Sequence, residues 1–174
     1  SGNAREGIWV GHSATRGITI SGNWVGLGND GLAVAGNAFT GIAINDAKLV
    51  KIGGVTAAEG NLVANNGHRG IGLWRVADPF VQGNKVGFTV TNAPAGNGNG
   101  GIELSECLRP RIGGTVSGTR NFVGNNGGPG IAFWATSDGF IQGNTIGLTP
   151  NGLSAAKNNG DGILLATGSP RNMV

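Results

Sequence analysis

The chain has 174 residues, 39% of them hydrophobic, which is enough for one buried core, while only 12% are charged and the net charge is +3. With so few cations and no dense Lys/Arg cluster, composition argues against a nucleic-acid binder, and no apolar run is long enough for a membrane-spanning helix. Cys107 is the only cysteine, which excludes an internal disulfide and a cysteine-based metal site.

Gly supplies 36 residues and Asn 20. In a disordered chain the apolar residues would be aperiodic; here they are not. In chain order, Gly-Ile recurs at Gly7, Gly41, Gly70, Gly101, Gly130 and Gly162, at spacings of 34, 29, 31, 29 and 32 residues. Each of these pairs has an Asn four residues earlier: Asn3, Asn37, Asn66, Asn97, Asn126 and Asn158. Each has an apolar residue two after the Ile: Val10, Ile44, Leu73, Leu104, Phe133 and Leu165. The alternation I-x-Φ (Φ apolar) is a short strand with one buried face. A second strand is expected around Ile20, Ile52, Val81, Ile112 and Ile141, each followed by Gly-Asn or Gly-Gly. A third is expected at Val25 to Leu27, Leu62 to Ala64, Val86 to Phe88, Phe122 to Gly124 and Ile146 to Leu148. Between them lie residues that tolerate left-handed backbone angles, so the chain turns sharp corners. Long and short coils alternate. One kind carries extra residues after the third strand (Thr89 to Gly96, Thr149 to Lys157), the other between the second and third (Val55 to Gly60, Thr115 to Arg120).

A coil of this kind cannot bury its apolar side alone, but coils stacked at about 4.8 Å bury all of them. The expected fold is therefore all-β: a single parallel β-helix over residues 1–174, with five to six coils of roughly thirty residues and three short strands per coil. The six Asn residues would form one ladder of amide-to-amide hydrogen bonds at a corner. Cys107, in a column with Ala47, Val76 and Thr136, is expected to be a small buried residue. Propellers and sandwiches need longer strands and antiparallel hairpins, and the glycine density excludes a helical solenoid.

N-x-x-x-G-I-x-Φ together with Φ-Q-G-N-x-Φ-G and Φ-G-G resembles the right-handed parallel β-helix repeats of the pectate-lyase-like superfamily, including the NosD-like carbohydrate-binding and sugar-hydrolase group. The resemblance covers essentially the whole chain. It implies a right-handed coil and an extracellular, periplasmic or cell-surface setting. It does not imply an activity, because that superfamily holds enzymes and non-enzymes alike.

The carboxylate strings that family enzymes use for cutting or epimerising polysaccharides are absent. Stacking can still assemble a site from separate coils. One position past the first strand stand His12, Asp46, Arg75, Glu106 and Ala135, so Asp46, Arg75 and Glu106 would be neighbours, with Glu103 and Trp74 close by. Two acids flanking a base suit glycoside chemistry. A cross-strand charge ladder suits the same residues, and an Arg between two carboxylates opposes the protonated form that a general acid needs. A second column, Thr19, Lys51, Phe80, Arg111, Phe140 and Arg171, alternates cations with phenyl rings on an outward face, a candidate binding surface for sugars or acidic polymers. Trp9, Trp24, Trp74 and Trp134 are expected at or near the surface; Trp74 and Trp134, equivalent and two coils apart, are candidate carbohydrate contacts, with structural stacking on the solenoid exterior as the alternative.

No cofactor or metal is expected. Neither end offers a polar cap, so the chain reads as a segment of a longer solenoid or as one that associates through its coil ends. The expected role is a non-catalytic extracellular structural or adhesive module. The alternatives are a polysaccharide-active enzyme (lyase, hydrolase or epimerase) and a glycan-binding module.

Overall fold

A computed structural model describes residues 1–174 and contains no helix. The chain is a parallel β-solenoid of about 5 turns, with equivalent positions about 31 residues apart. The first sheet stacks β1 (Ile8–Val10), β5 (Ile42–Asn45), β9 (Ile71–Trp74), β12 (Ile102–Ser105), β15 (Ile131–Trp134) and β18 (Ile163–Leu165) in that order. Its register joins Ile8, Ile42, Ile71, Ile102, Ile131 and Ile163 in one column, as the Gly-Ile pattern requires. The second sheet stacks β3 (Thr19–Ile20), β7 (Lys51–Gly53), β10 (Phe80–Gln82), β13 (Arg111–Gly113) and β16 (Phe140–Gln142). The third stacks β4 (Trp24–Val25), β8 (Leu62–Val63), β11 (Lys85–Val86), β14 (Phe122–Val123) and β17 (Thr145–Ile146); β8 and β14 start where expected, β4, β11 and β17 start one residue earlier, and all five end one or two residues sooner. A fourth, minimal sheet turns the corner between the first two. It pairs β2 (Thr15–Arg16) with β6 (Ala47–Lys48) and continues as single bridges from Lys48 to Ala77, Leu108 and Ser137. Two-residue strands carry no legible alternation, so sequence periodicity gave three strands per coil where there are three to four.

Inward residues of the sheets merge into one core cluster of 21 buried side chains, among them Ile44, Ile52, Val63, Ile71, Val81, Val86, Ile102 and Val123. Cys107 lies in it with Ala47 and Val76, and burial raises its thiol pKa to about 11. The Gly of each Gly-Ile pair is required by close approach. A Cβ on Gly41 would stand 2.6 Å from both the Asn66 amide nitrogen and a Val63 methyl, and Gly70 and Gly101 meet the same partners one coil on.

The Asn ladder exists as expected. The side-chain amide of each member donates to the carbonyl oxygen of the next: Asn3 to Asn37 (2.8 Å), Asn37 to Asn66 (2.7 Å), and Asn66 to Asn97, Asn97 to Asn126 and Asn126 to Asn158 (2.9 Å each). A second ladder, absent from the sequence reading, runs through Asn23, Asn61, Asn84, Asn121 and Asn144 at the opposite end of the third sheet, with amide-to-carbonyl distances of 2.9–3.1 Å. Its signal was N-x-Φ at the start of every third strand (NWV, NLV, NKV, NFV, NTI). The loops before Asn61 and Asn121 lengthen their distance from the second strand, which hid the period.

Both ladders should carry comparable stability. Replacing Asn97 or Asn121 by Ala strands a donor above and an acceptor below, and each variant should lose about 1–3 kcal/mol of unfolding free energy in denaturant titrations. An Asn121→Ala protein as stable as wild type would show the second ladder to be incidental.

Candidate functional site

The solenoid corners place charges in ordered columns. His12, Asp46, Arg75, Glu106 and Ala135 all adopt left-handed backbone, with φ of 90°, 53°, 51°, 54° and 47°. A second such corner holds Leu49, Asp78, Arg109, Asp138 and Arg171, with φ between 51° and 58°. Within these columns Arg75 grips Asp46 (2.7 and 2.9 Å), Arg109 grips Asp78 (2.7 and 2.9 Å), and Arg171 grips Asp138 through Nε and Nη2 (2.5 and 2.8 Å), each bidentate. The Arg hydrogen bond is the largest influence on each Asp and holds its pKa below the ordinary carboxylate value.

These columns revise two of the sequence-derived sites. Arg171 is not in the Phe/Lys/Arg column, because Phe140 bridges to Met173 in the next coil and Arg171 stands at the acid–Arg corner instead. No second strand sets the register at that position; the single bridge of Phe140 is to Met173, two residues further on. Glu103 does not join Asp46, Arg75 and Glu106. Its carboxylate binds Arg69 at 2.6 Å on the outer face of the first sheet, and Glu106 makes no ion pair. The acids and the Arg do not converge on one point.

The rest of the Phe/cation column is as expected in register: Thr19, Lys51, Phe80, Arg111 and Phe140 are consecutive partners. Arg111 lies 6.0 Å from the Phe80 ring centre and 5.0 Å from that of Phe140, a sandwich worth about 0.5–1 kcal/mol per contact. Lys51 instead turns to Glu59 at 3.3 Å. A shallow depression of about 320 Å³ lies over Arg111, Phe80 and Phe140, bordered by Asp78, Arg109, Asp138 and Arg171. Trp74 and Trp134 both lie at the surface and flank Ser105 in one column, and Arg75 rests 5.8 Å from the Trp74 ring. His68, beside Arg69, accepts a hydrogen bond at Nδ1 from that guanidinium (2.9 Å), and burial together with the Arg69 charge lowers its pKa.

A concavity of about 810 Å³ was not anticipated. Its floor is the outer face of the third sheet, where Trp24, Leu62, Lys85 and Phe122 follow one another in register. One wall is built by the loops 55–60 and 115–120, from alternate coils. They touch across the intervening coil, where a Cβ on Gly118 would sit 1.7 Å from the Val55 carbonyl oxygen. On the other side Val90 reaches the groove from the small hairpin closed by the Phe88–Pro94 bridge, and this hairpin touches the one closed by the Leu27–Val34 bridge, with the Val90 N–H donating to the Gly31 carbonyl (3.1 Å). Both insertions are visible in the sequence. That they face each other across one sheet is visible only once the coil is closed.

No protein-family model, curated protein or solved structure matches the chain. The parallel β-solenoid is thus established by the fold itself, and no relative supplies a role for any residue.

The paired carboxylates set an acid dependence. Glu59 is held at about 2, against an ordinary 4.5, chiefly by the Thr56 N–H and hydroxyl. Depressed folded-state values mean that these groups stabilise the fold above the unfolded pKa and cease to do so as pH falls through the folded one. The thermal midpoint should therefore drop between pH 4.5 and about 2. Combining Asp46→Asn, Asp78→Asn, Asp138→Asn and Glu59→Gln should flatten that slope in calorimetry at a series of pH values.

Proposed function

We propose that the chain is a non-catalytic module of an extracellular or cell-surface protein, structural or adhesive in role, and a member of the right-handed pectate-lyase-like β-helices. The observation that carries the reading is the state of the carboxylates: Asp46, Asp78 and Asp138 are each locked bidentate to an arginine and held ionised. A polysaccharide-cleaving site needs one acid that is protonated at working pH and a second group within reach of the same bond. Glu103 is ion-paired with Arg69, and no three His, Cys, Asp or Glu side chains converge on a metal position. The same ladders stiffen a rod with two distinct lateral faces, which suits a spacer or an adhesive stalk.

A second reading, a glycan-binding module, is favoured by one observation, the Phe80–Arg111–Phe140 sandwich under its open depression. Aromatic faces with a fixed cation between them suit sugar rings bearing acidic groups.

Incubation with acidic and neutral polysaccharides should leave them intact. Release of reducing ends or unsaturated uronates that disappears in Glu106→Gln or Glu103→Gln would replace this reading with the enzymatic one. Binding without cleavage that falls on Arg111→Ala would favour the glycan-binding module.

Self-association belongs to the same proposal. Both Asn ladders are polar, with amides donating in one direction along the axis, so their ends are complementary: an Asn3 carbonyl at one, an Asn158 amide at the other. Strands β1 and β18 each leave one edge of the first sheet unpaired, and such edges template pairing with another chain. Residues 1–174 as an isolated segment should sediment as a concentration-dependent series of oligomers, and Ile163→Lys should return them to monomer. A strict monomer at high concentration would refute end-to-end stacking.

A further inference from the structure

The groove over the third sheet is the feature that the proposed role leaves unused. It crosses the five coils from Trp24 to Gly143, so it runs along the solenoid axis for roughly 19 Å, four steps of about 4.8 Å. No Asp or Glu lines it, yet two cations do, Lys85 and Arg120. Neither has a carboxylate partner, whereas Arg69, Arg75, Arg109 and Arg171 all have one. The Lys85 ammonium contacts only an amide oxygen, Asn92 Oδ1 at 2.8 Å, and its partial burial lowers its pKa. On the same loop as one wall, Glu59 spends its carboxylate on Thr56, Val55 and Lys51. Around the cations the surface is apolar and open: Val116 at the rim is 68% exposed, and Trp24 and Val90 are 46% and 41% exposed. An exposed apolar channel around an unpaired cation asks for a ligand with an anionic head and a long apolar body.

What the groove cannot offer narrows the class further. The backbone groups of the third sheet already pair from coil to coil, so a peptide lying across the strands would find no ladder to join. About six extended residues would fit, and each amide left unpaired would oppose binding. Side-chain hydroxyls are limited to Thr56, Thr115 and Ser117, and the Asn61 amide is consumed by its ladder, so a sugar chain would also leave most of its hydroxyls unmatched. An unbranched acyl chain makes no such demands.

We propose that this groove binds a single-chain anionic amphiphile of the fatty-acid class, its carboxylate at Lys85, midway along the floor, and its chain over the Leu62–Trp24 half, about two coil steps or 10 Å long. The inference is independent of the structural role proposed above, since a rod can carry a lateral ligand whether or not it cleaves or binds glycans.

Isothermal titration with palmitate, below its micelle concentration, tests it on the intact chain. Palmitate should bind at one site per chain, and affinity should fall by up to about fourfold for each methylene removed once the homologues are too short to cover Leu62 and Trp24. Lys85→Ala should weaken binding by about tenfold or more, and Lys85→Gln similarly, through loss of the charged hydrogen bond. Val116→Asp, a change at an exposed rim residue that leaves the core untouched, should weaken it as well, with circular dichroism and thermal midpoint unchanged. Absence of palmitate binding overturns the proposal. So does equal affinity for hexadecyltrimethylammonium, which carries the opposite head charge, or binding that ignores both Lys85 variants and Val116→Asp. Binding of galacturonate oligomers, an acidic hexapeptide or oligothymidylate at this groove in place of palmitate would also overturn it.

Discussion

The strands and corners of this molecule answer to one constraint: each of their residues is stacked directly on its own equivalent, one coil above and one below. Parallel strands at about 4.8 Å impose it. A position therefore has to be compatible with a copy of itself, and side-chain types sort accordingly. Asn passes because its amide is both donor and acceptor, so a column of Asn satisfies itself and also the backbone N–H of each member, as in Asn97 with Asn126. Charge fails the same test unless it alternates. Asp46 is followed by Arg75 and then Glu106, and Asp78 by Arg109, Asp138 and Arg171, so like charges never stand one coil apart in either column. The same corners hold non-glycine residues in left-handed backbone, which costs about 1–2 kcal/mol at each. That conformation survives because the strands and ladders on both sides of the corner over-determine it.

The same spacing explains the two-coil period. A loop that leaves the solenoid wall is thicker than one coil step, so loops at the same corner cannot occupy consecutive coils. The 55–60 and 115–120 loops sit two coils apart and still touch through Gly118 and Val55, while the 28–33 and 89–93 hairpins touch through Gly31 and Val90. Alternate coils must be short at any given corner. Insertions at one corner then fall on odd coils and those at the other on even coils, which produces the repeat of about sixty residues and, as a by-product, two continuous walls facing each other.

This separates what the sequence makes legible from what it hides. The first sheet and its Asn ladder could be read because N-x-x-x-G-I-x-Φ never tolerates an insertion, and Gly41, Gly70 and Gly101 show why: the next coil's Asn and Val leave no room for a Cβ. The second ladder was hidden by insertions lying immediately before Asn61 and Asn121. Columns could be assigned correctly wherever a strand set the register, as for Phe80, Arg111 and Phe140, and failed in the last coil, where Arg171 follows a turn and not a strand. Side-chain direction was the other hidden quantity. Glu103 occupies the face expected of it, yet its partner is Arg69 because both point over the same outer face of the first sheet, while Asp46 and Arg75 sit at the corner beyond it.

Stacking also indicates where in such a fold a ligand site can arise. Columns that repeat a residue type are accounted for by the solenoid, since their identity follows from self-compatibility. The floor of the groove is the opposite case: Trp24, Leu62, Lys85, Phe122 and Thr145 succeed one another in register with no two alike. Nothing in coil-to-coil packing asks for a lysine between Leu62 and Phe122, where an apolar or β-branched residue would stack at least as well and avoid partial desolvation of an ammonium. A column that departs from self-similarity, places an unpaired cation among apolar neighbours, and lies between two walls is better explained by what it faces than by what it stacks on.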